Sequence, residues 1–245
     1  MTHSLAAGAS VPALDEATRA LVRLSARITA GTEQDVRVGL AECARARVSD
    51  RWVEELVLQS YLFAGFPRAL NAAREWRRAG ERATVDAPGG TQPMADARRR
   101  APPTPDAASS APPPARDGAE EGYASVFDWR TRGEETCEVV YGRNYGKLRR
   151  NIRGLHSALD DWMIVEGYGK VLARTGLDLA RRELCVVAAC AAAGQDRQLH
   201  SHLHGALNAG ATRDAVRATI EALEGVVSDA HLRRAREMWI KVERQ

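Results

Sequence analysis

Shifted against itself by 163 residues, the sequence lies on itself without a gap, residues 19–76 over residues 182–239. Ten positions are identical, among them Arg19/Arg182, Leu21/Leu184, Gly31/Gly194, Leu40/Leu203, Val53/Val216 and Trp76/Trp239. Apolar positions and candidate caps coincide too: Val36 stands opposite Leu199, Ser49 opposite Thr212 and Val57 opposite Ile220. An internal repeat constrains the fold more than composition does, because both copies must satisfy one packing scheme. The chemistry differs between the copies. Glu183 and His202 of the second stand opposite Ala20 and Gly39 of the first. The first copy is therefore expected to be structural, and the second to hold any site.

The repeated unit reads as a set of helices. Leu14, Ala17, Leu21, Leu24 and Ile28 follow helical spacing, and Gly31 stops that run. Further helices are expected over 33–47, 51–63 (with Ser49 as cap) and 67–78, after a break at Gly65-Phe66-Pro67. In the second half, helices are expected over 139–159 and 162–173. Another starts at the Asp178 cap and carries Glu183, and the last two run from Thr212 to about 227 and over 229–242. Period-two alternation is lacking, so the expected fold class is all-α.

Eight of the ten prolines fall between Pro88 and Pro114, among Ala, Ser, Asp, Gly and Arg. Such a segment cannot bury enough apolar surface to offset its ordering entropy. The expected organisation is a degenerate N-terminal repeat over 1–80, a disordered linker over 81–120, and a C-terminal helical domain with the site over 121–245.

The 35 basic and 32 acidic residues leave a formal charge of +3. With no basic stripe interleaved with aromatics, nucleic acid is not an expected partner. No run of eighteen apolar residues points to a membrane span, and no signal peptide is read at the N-terminus. Cys43, Cys137, Cys185 and Cys190 have neither disulfide-framework nor zinc spacing, so the expected setting is reducing and cytoplasmic.

The candidate chemistry lies between Gly194 and Gly210, where His200, His202 and His204 follow one another, and in the preceding helix, where Glu183 sits. Helical steps of three, four and seven share a face. His202 thus shares its face with Gln195 and Gln198, while His200 and His204 pair on the other side. A helical hairpin at Gly194 would bring Glu183 towards His202. A carboxylate–imidazole pair holds the ring in one tautomer and serves as a general acid/base, or else forms only a structural hydrogen bond. His200 and His204 have ligand spacing, but no acid completes a shell, so no metal is expected. Cys185 and Cys190 are expected to be small buried apolar groups.

Several of these motifs carry a family resemblance. Arg181-Arg182-Glu183-Leu184, the Gly194 break, the run from His202 to Gly210 and the Ala211-Thr212-Arg213-Asp214 helix start resemble the carboxymuconolactone decarboxylase family. That family includes the alkylhydroperoxidase D type of peroxidase. Trp162 and the segment from Gly167 to Asp178 resemble the stretch preceding the core in the decarboxylase branch. The run from Tyr61 to Ala72 is similar to the family's closing helices. In the peroxidase branch two cysteines stand where this chain has Gln195 and Gln198, so its disulfide cycle cannot run there. The resemblance implies a cofactor-free carboxy-lyase in which His202 is the general acid/base and Glu183 orients it. Gln195 and Gln198 would bind a carboxylate or lactone oxygen, with Trp162, Glu166 and Tyr168 lining the pocket. It also implies assembly into rings, here a homotrimer of two-repeat chains with pseudo-hexameric arrangement.

Two other functions stay open at this level. One is a peroxidase that uses Cys185 or Cys190 as its thiol. The other is a non-catalytic helical scaffold that binds a small molecule.

Overall fold

The computed structural model describes residues 13–85 and 126–245, and of the linker expected over 81–120 the part from 86 to 120 lies outside the described residues. The N-terminal repeat comprises α1 (Glu16–Ala30), α2 (Glu33–Arg45), α3 (Asp50–Gln59) and α4 (Tyr61–Val85). A connecting layer follows: α5 (Val126–Tyr141), a 3-10 turn (Gly142–Asn144), α6 (Tyr145–Leu155), α7 (Ser157–Trp162) and a π-helix (Met163–Leu172). The C-terminal repeat comprises α8 (Leu179–Ala192), α9 (Asp196–Asn208), α10 (Arg213–Glu221) and α11 (Asp229–Glu243). The fold is all-α, with no strand among the described residues.

The duplication is visible in the caps. Helices α1, α2 and α3 begin 163 residues before α8, α9 and α10. Asp15 caps α1 by accepting from the Thr18 N–H, and Asp178 caps α8 by accepting from the Arg181 N–H at the equivalent place. Ser49 and Thr212 cap α3 and α10 in the same equivalent way. Each such cap satisfies one of the orphan N–H groups of the first helical turn.

Helices α1 and α8 pack against each other at the centre. Arg181 Nε donates to Thr18 Oγ1 over 2.9 Å, joining two residues that occupy the same position in the two repeats. A contact between equivalent residues is what a local two-fold relation between the copies places on its axis. Ser25 Oγ adds a bond of 2.7 Å to the Cys185 carbonyl. One apolar core runs through both repeats, from Leu21, Leu24 and Ile28 to Val186, Val187 and Leu203. A smaller cluster around Cys137, Val140, Ile164, Tyr168 and Leu172 seats the connecting layer.

A buried ion pair locks the repeats together. The Arg182 side chain is fully buried; its Nη2 donates to Glu55 Oε2 over 2.7 Å and its Nη1 to Gln59 Oε1 over 3.2 Å. Arg174 binds the same carboxylate. Burial would raise the Glu55 pKa, but the two guanidinium groups outweigh it and hold the carboxyl below its ordinary value.

Several helix limits differ from the expectations, each for a local reason. Helix α3 stops at Gln59, and α4 starts at Tyr61 and kinks at Gly65, whose φ of 80° is left-handed. Pro67 then stands near the start of the resumed helix, where its missing N–H costs nothing. Helix α4 continues to Val85, five residues into the segment expected as linker. The helix expected over 139–159 is broken at Gly142, where φ is 49°, and the chain restarts as α6 and α7. Helix α10 ends at Glu221 rather than near 227, ahead of Gly225 with φ 70°.

The stretch expected as a helix over 162–173 is the π-helix, and glycines explain its seating. A Cβ on Gly169 would stand 1.8 Å from the Trp129 carbonyl oxygen, and one on Gly133 would stand 2.1 Å from the Ile164 oxygen. Helix α5 and the π-helix therefore meet backbone to backbone. The wider turn of a π-helix often occurs at functional sites.

Candidate functional site

Glu183 enters α8 one turn after its Asp178 cap, on a helix buried from Arg182 to Ala192. The Glu183 side chain is fully buried, and an unpaired buried carboxylate is costly. Its partner is His202 on α9, whose Nδ1 lies 2.8 Å from Glu183 Oε2. A carboxylate only accepts, so an ionised Glu183 places the ring proton on Nδ1 and leaves the lone pair on Nε2. Glu183 Oε1 is buried with no hydrogen-bond partner among the described residues. The approach of α9 depends on Gly205, because a Cβ there would come within 2.6 Å of Glu183 Oε2.

Aromatic rings from two other parts of the chain close round the imidazole. Phe63 of the N-terminal repeat lies edge-on, 6.0 Å between centroids. Tyr141, at the end of α5, lies 6.4 Å away. Behind Tyr141 stands the buried Tyr168 of the π-helix, with 6.2 Å between ring centroids. Burial pushes the Tyr141 phenol up to about 12 and the Tyr168 phenol well above its ordinary value. Both are neutral hydrogen-bonding groups at physiological pH.

The N-terminal repeat holds a different pair at the same corner. Where the C-terminal repeat has Cys190 and Gly205, the N-terminal one has Arg27 and Glu42. These form an ion pair between α1 and α2, Nη2 to Oε1 over 2.9 Å. Burial raises the Glu42 pKa, but Arg27 and Arg23 outweigh it and bring the carboxyl down to about 2. Gly39, opposite His202, leaves room for the Leu24 and Arg27 side chains beside it. One helical corner thus holds a partly exposed Arg–Glu pair in the first copy and a buried Glu–His pair in the second.

The other expected site residues are spread more widely. Gln195 and Gln198 are both exposed at the start of α9, and neither makes a hydrogen bond to Glu183 or His202. They do share the helical face of His202, but α9 begins at the surface and only reaches the interior a turn later. Gln195 occupies the N-cap position without a capping bond. Its counterpart Thr32 forms a full capping box with Asp35, the counterpart of Gln198. Trp162 is 63% exposed. Glu166 pairs with Lys170 over 3.2 Å, and burial together with the Glu166 charge raises the Tyr61 phenol of the first repeat above its ordinary value. Tyr168 alone of the expected pocket residues adjoins the pair, through Tyr141. No group of three or more His, Cys, Asp or Glu side chains among the described residues is arranged to hold a metal.

The order of the elements and the match between the repeats agree with a comparison against protein families. The carboxymuconolactone decarboxylase family model matches residues 1–78 and 161–241, more than half of the chain and once in each repeat. The chain belongs to the carboxymuconolactone decarboxylase family. No curated protein matches it. This member of the family carries α5 and α6 between its two matched segments, and Tyr141, at the end of α5, meets His202 from there.

Phe63, Tyr141 and Gly205 escaped the reading of the sequence. Phe63 and Tyr141 come from distant segments, and no local periodicity links them to His202. Gly205 carried a usable signal: a glycine inside a helical pattern marks either a weak helix or a close approach. No helix among the described residues is long and apolar enough to cross a membrane.

Proposed function

We propose that the chain is a cofactor-free carboxy-lyase acting on a small carboxylated lactone or ring compound, with His202 as general acid/base and Glu183 as its orienting partner. The observation that carries this is the buried hydrogen bond of 2.8 Å between His202 Nδ1 and Glu183 Oε2. It fixes the ring and leaves Nε2 to exchange a proton with substrate. In such a reaction the bond from ring carbon to carboxylate breaks and CO2 leaves. The electron pair is delocalised into the conjugated lactone carbonyl, and His202, once its Nε2 has taken a proton from solvent, gives that proton to carbon and returns to the neutral ring. Gln195, Gln198, Trp162, Glu166 and Tyr168 are proposed to bind substrate, the two glutamines by donating to a carboxylate or lactone oxygen.

The thiols favour proton transfer over peroxide reduction. Burial, with Glu183 adding to it, pushes the Cys190 thiol up to about 12. Burial likewise raises the Cys185 thiol far above its ordinary value. A thiol without thiolate character is a poor nucleophile towards peroxide.

The test is decarboxylation of 4-carboxymuconolactone, followed by its ultraviolet absorbance. Wild type is expected to turn it over, and His202→Ala to lose that activity while retaining its circular dichroism. A wild type inert towards this lactone and its close analogues rejects the reading. A Glu183→Gln variant that changes only the melting temperature marks the pair as structural and the chain as a binding scaffold. We further propose that three chains form a ring of six repeats, and a monomeric mass by light scattering rejects that arrangement.

A further inference from the structure

A cavity of about 630 Å³ opens on the face of α9 that carries His200 and His204. The 3-10 turn and α6 supply one wall, with Arg143, Asn144, Lys147 and Asn151, and α9 supplies the other, with His200 and His204. We propose that this cavity is a binding site for a small oxyanion-bearing molecule, a carboxylate or a phosphate.

The charge of the lining is the first reason. Arg143 and Lys147 bring two fixed positive charges, and the described residues that line the cavity, Gln245 among them, include no Asp or Glu side chain. Among the described residues neither cation has an ion-pair partner, whereas Arg149 and Arg153 of the same α6 are both engaged with Asp160. Cations without counter-charges round a concave wall focus a positive potential that draws anions in.

Hydrogen-bond donors are the second reason. Asn144 stands at the N-cap of α6, where its side chain makes no capping bond, and its amide lines the cavity wall as a potential donor. Lys147 lies in the first turn of the same helix, where the backbone dipole also favours negative charge. The volume is that of an ordinary small-molecule site.

The histidines are the third reason. His200 and His204 stand 5.0 Å apart, edge to face. Burial, His200 and Arg143 together hold the His204 imidazole below its ordinary pKa. The charged or titratable groups that act on His204 are thus His200 from α9 itself and Arg143 from the turn, and both oppose its protonation; Lys147 of α6 lines the same cavity. A bound anion reverses that balance and favours the imidazolium, which then adds a charge-assisted bond to the ligand. Asn208 Nδ2 is already committed to the Val140 carbonyl over 2.8 Å and keeps the α5–α9 wall in place.

The site stands apart from the Glu183–His202 pair, so it holds or fails independently of the carboxy-lyase reading. Tyr141 lines the cavity and also meets the His202 ring, which makes it the one side chain common to both.

Titration calorimetry on the full chain at low ionic strength, with inorganic phosphate in one arm and succinate in the other, tests the proposal. At least one probe is expected to bind, and the His204 ring pKa, followed by NMR, is expected to rise with it. The double variant Arg143→Gln/Lys147→Gln is expected to bind roughly tenfold or more weakly, since each lost charge-assisted bond is worth about that factor. Arg233→Gln, an exposed arginine on α11, is expected to bind as wild type does. Both substituted side chains are exposed, and an unchanged melting temperature shows that the fold is intact. Binding of phosphate alone assigns phosphorylated ligands, and binding of succinate alone assigns carboxylates. No binding of either probe, or binding unaffected by the double substitution, overturns the proposal.

Discussion

Gly205 and Glu183 face each other with no space for a methyl group between them: a Cβ at 205 would stand 2.6 Å from Glu183 Oε2 and 2.8 Å from Val140 Cγ1. Replacing a helix-interior glycine by alanine ordinarily stabilises by about 0.5–1 kcal/mol. Here the carboxylate is fully buried and tied to His202, so the overpacking cost of roughly 1–3 kcal/mol wins. Gly205→Ala is expected to lower the melting temperature and to abolish the carboxy-lyase activity. A Gly205→Ala protein that melts higher than wild type contradicts this packing.

The Arg182–Glu55 pair predicts a large loss when one side is removed. Glu55→Ala leaves the fully buried guanidinium of Arg182 facing only Gln59 and carbonyl oxygens. Breaking a buried pair in this way costs about 3–5 kcal/mol. Urea unfolding of Glu55→Ala is expected to show that loss, with the surface pair variant Arg217→Ala staying within about 0.5 kcal/mol of wild type.

Acid is expected to weaken the fold through the same kind of groups. Glu42, Glu55 and Asp160 all have folded-state pKa values below their ordinary ones, with Glu42 brought to about 2 from 4.5. A depressed carboxyl contributes stability above its unfolded pKa and loses it as pH falls through the folded value. Denaturant midpoints are therefore expected to hold above pH 4.5 and to decline progressively towards pH 2. A midpoint that stays flat over that range counts against these ion pairs.

The start of α9 trades stability for exposed glutamines. Its counterpart α2 has the Thr32/Asp35 capping box, while Gln195 and Gln198 leave α9 uncapped. The double substitution Gln195→Thr/Gln198→Asp is expected to stabilise the protein by about 1 kcal/mol. If the glutamines bind substrate as proposed, turnover falls in the same variant, and unchanged turnover removes them from the site.

The thiols are expected to be inert in the native protein. Cys43, Cys137 and Cys190 are pushed to about 12 by burial. At pH 8 roughly one such thiol in ten thousand is ionised, so iodoacetamide is expected to label the unfolded chain and leave the native one unmodified by mass spectrometry. Rapid native labelling would reopen thiol chemistry.

The sequence by itself determined the repeat, the all-helical class and the pairing of Glu183 with His202. Each of these is written in local terms: a fixed offset of 163 residues, helical periodicity, and two helices joined by a short turn at Gly194. Only the tertiary structure decided what surrounds the pair. Phe63 and Tyr141 reach His202 from segments far away in the chain, and neither carries a periodic signal that points there. Helical phase correctly put Gln195 and Gln198 on the face of His202, yet phase says nothing of depth, and burial changes along α9 from its exposed start to its enclosed middle. The Arg143–Lys147 cavity, too, arises only where the turn and α6 fold against α9. Local sequence sets which face a residue takes, whereas packing between distant elements sets what that face meets.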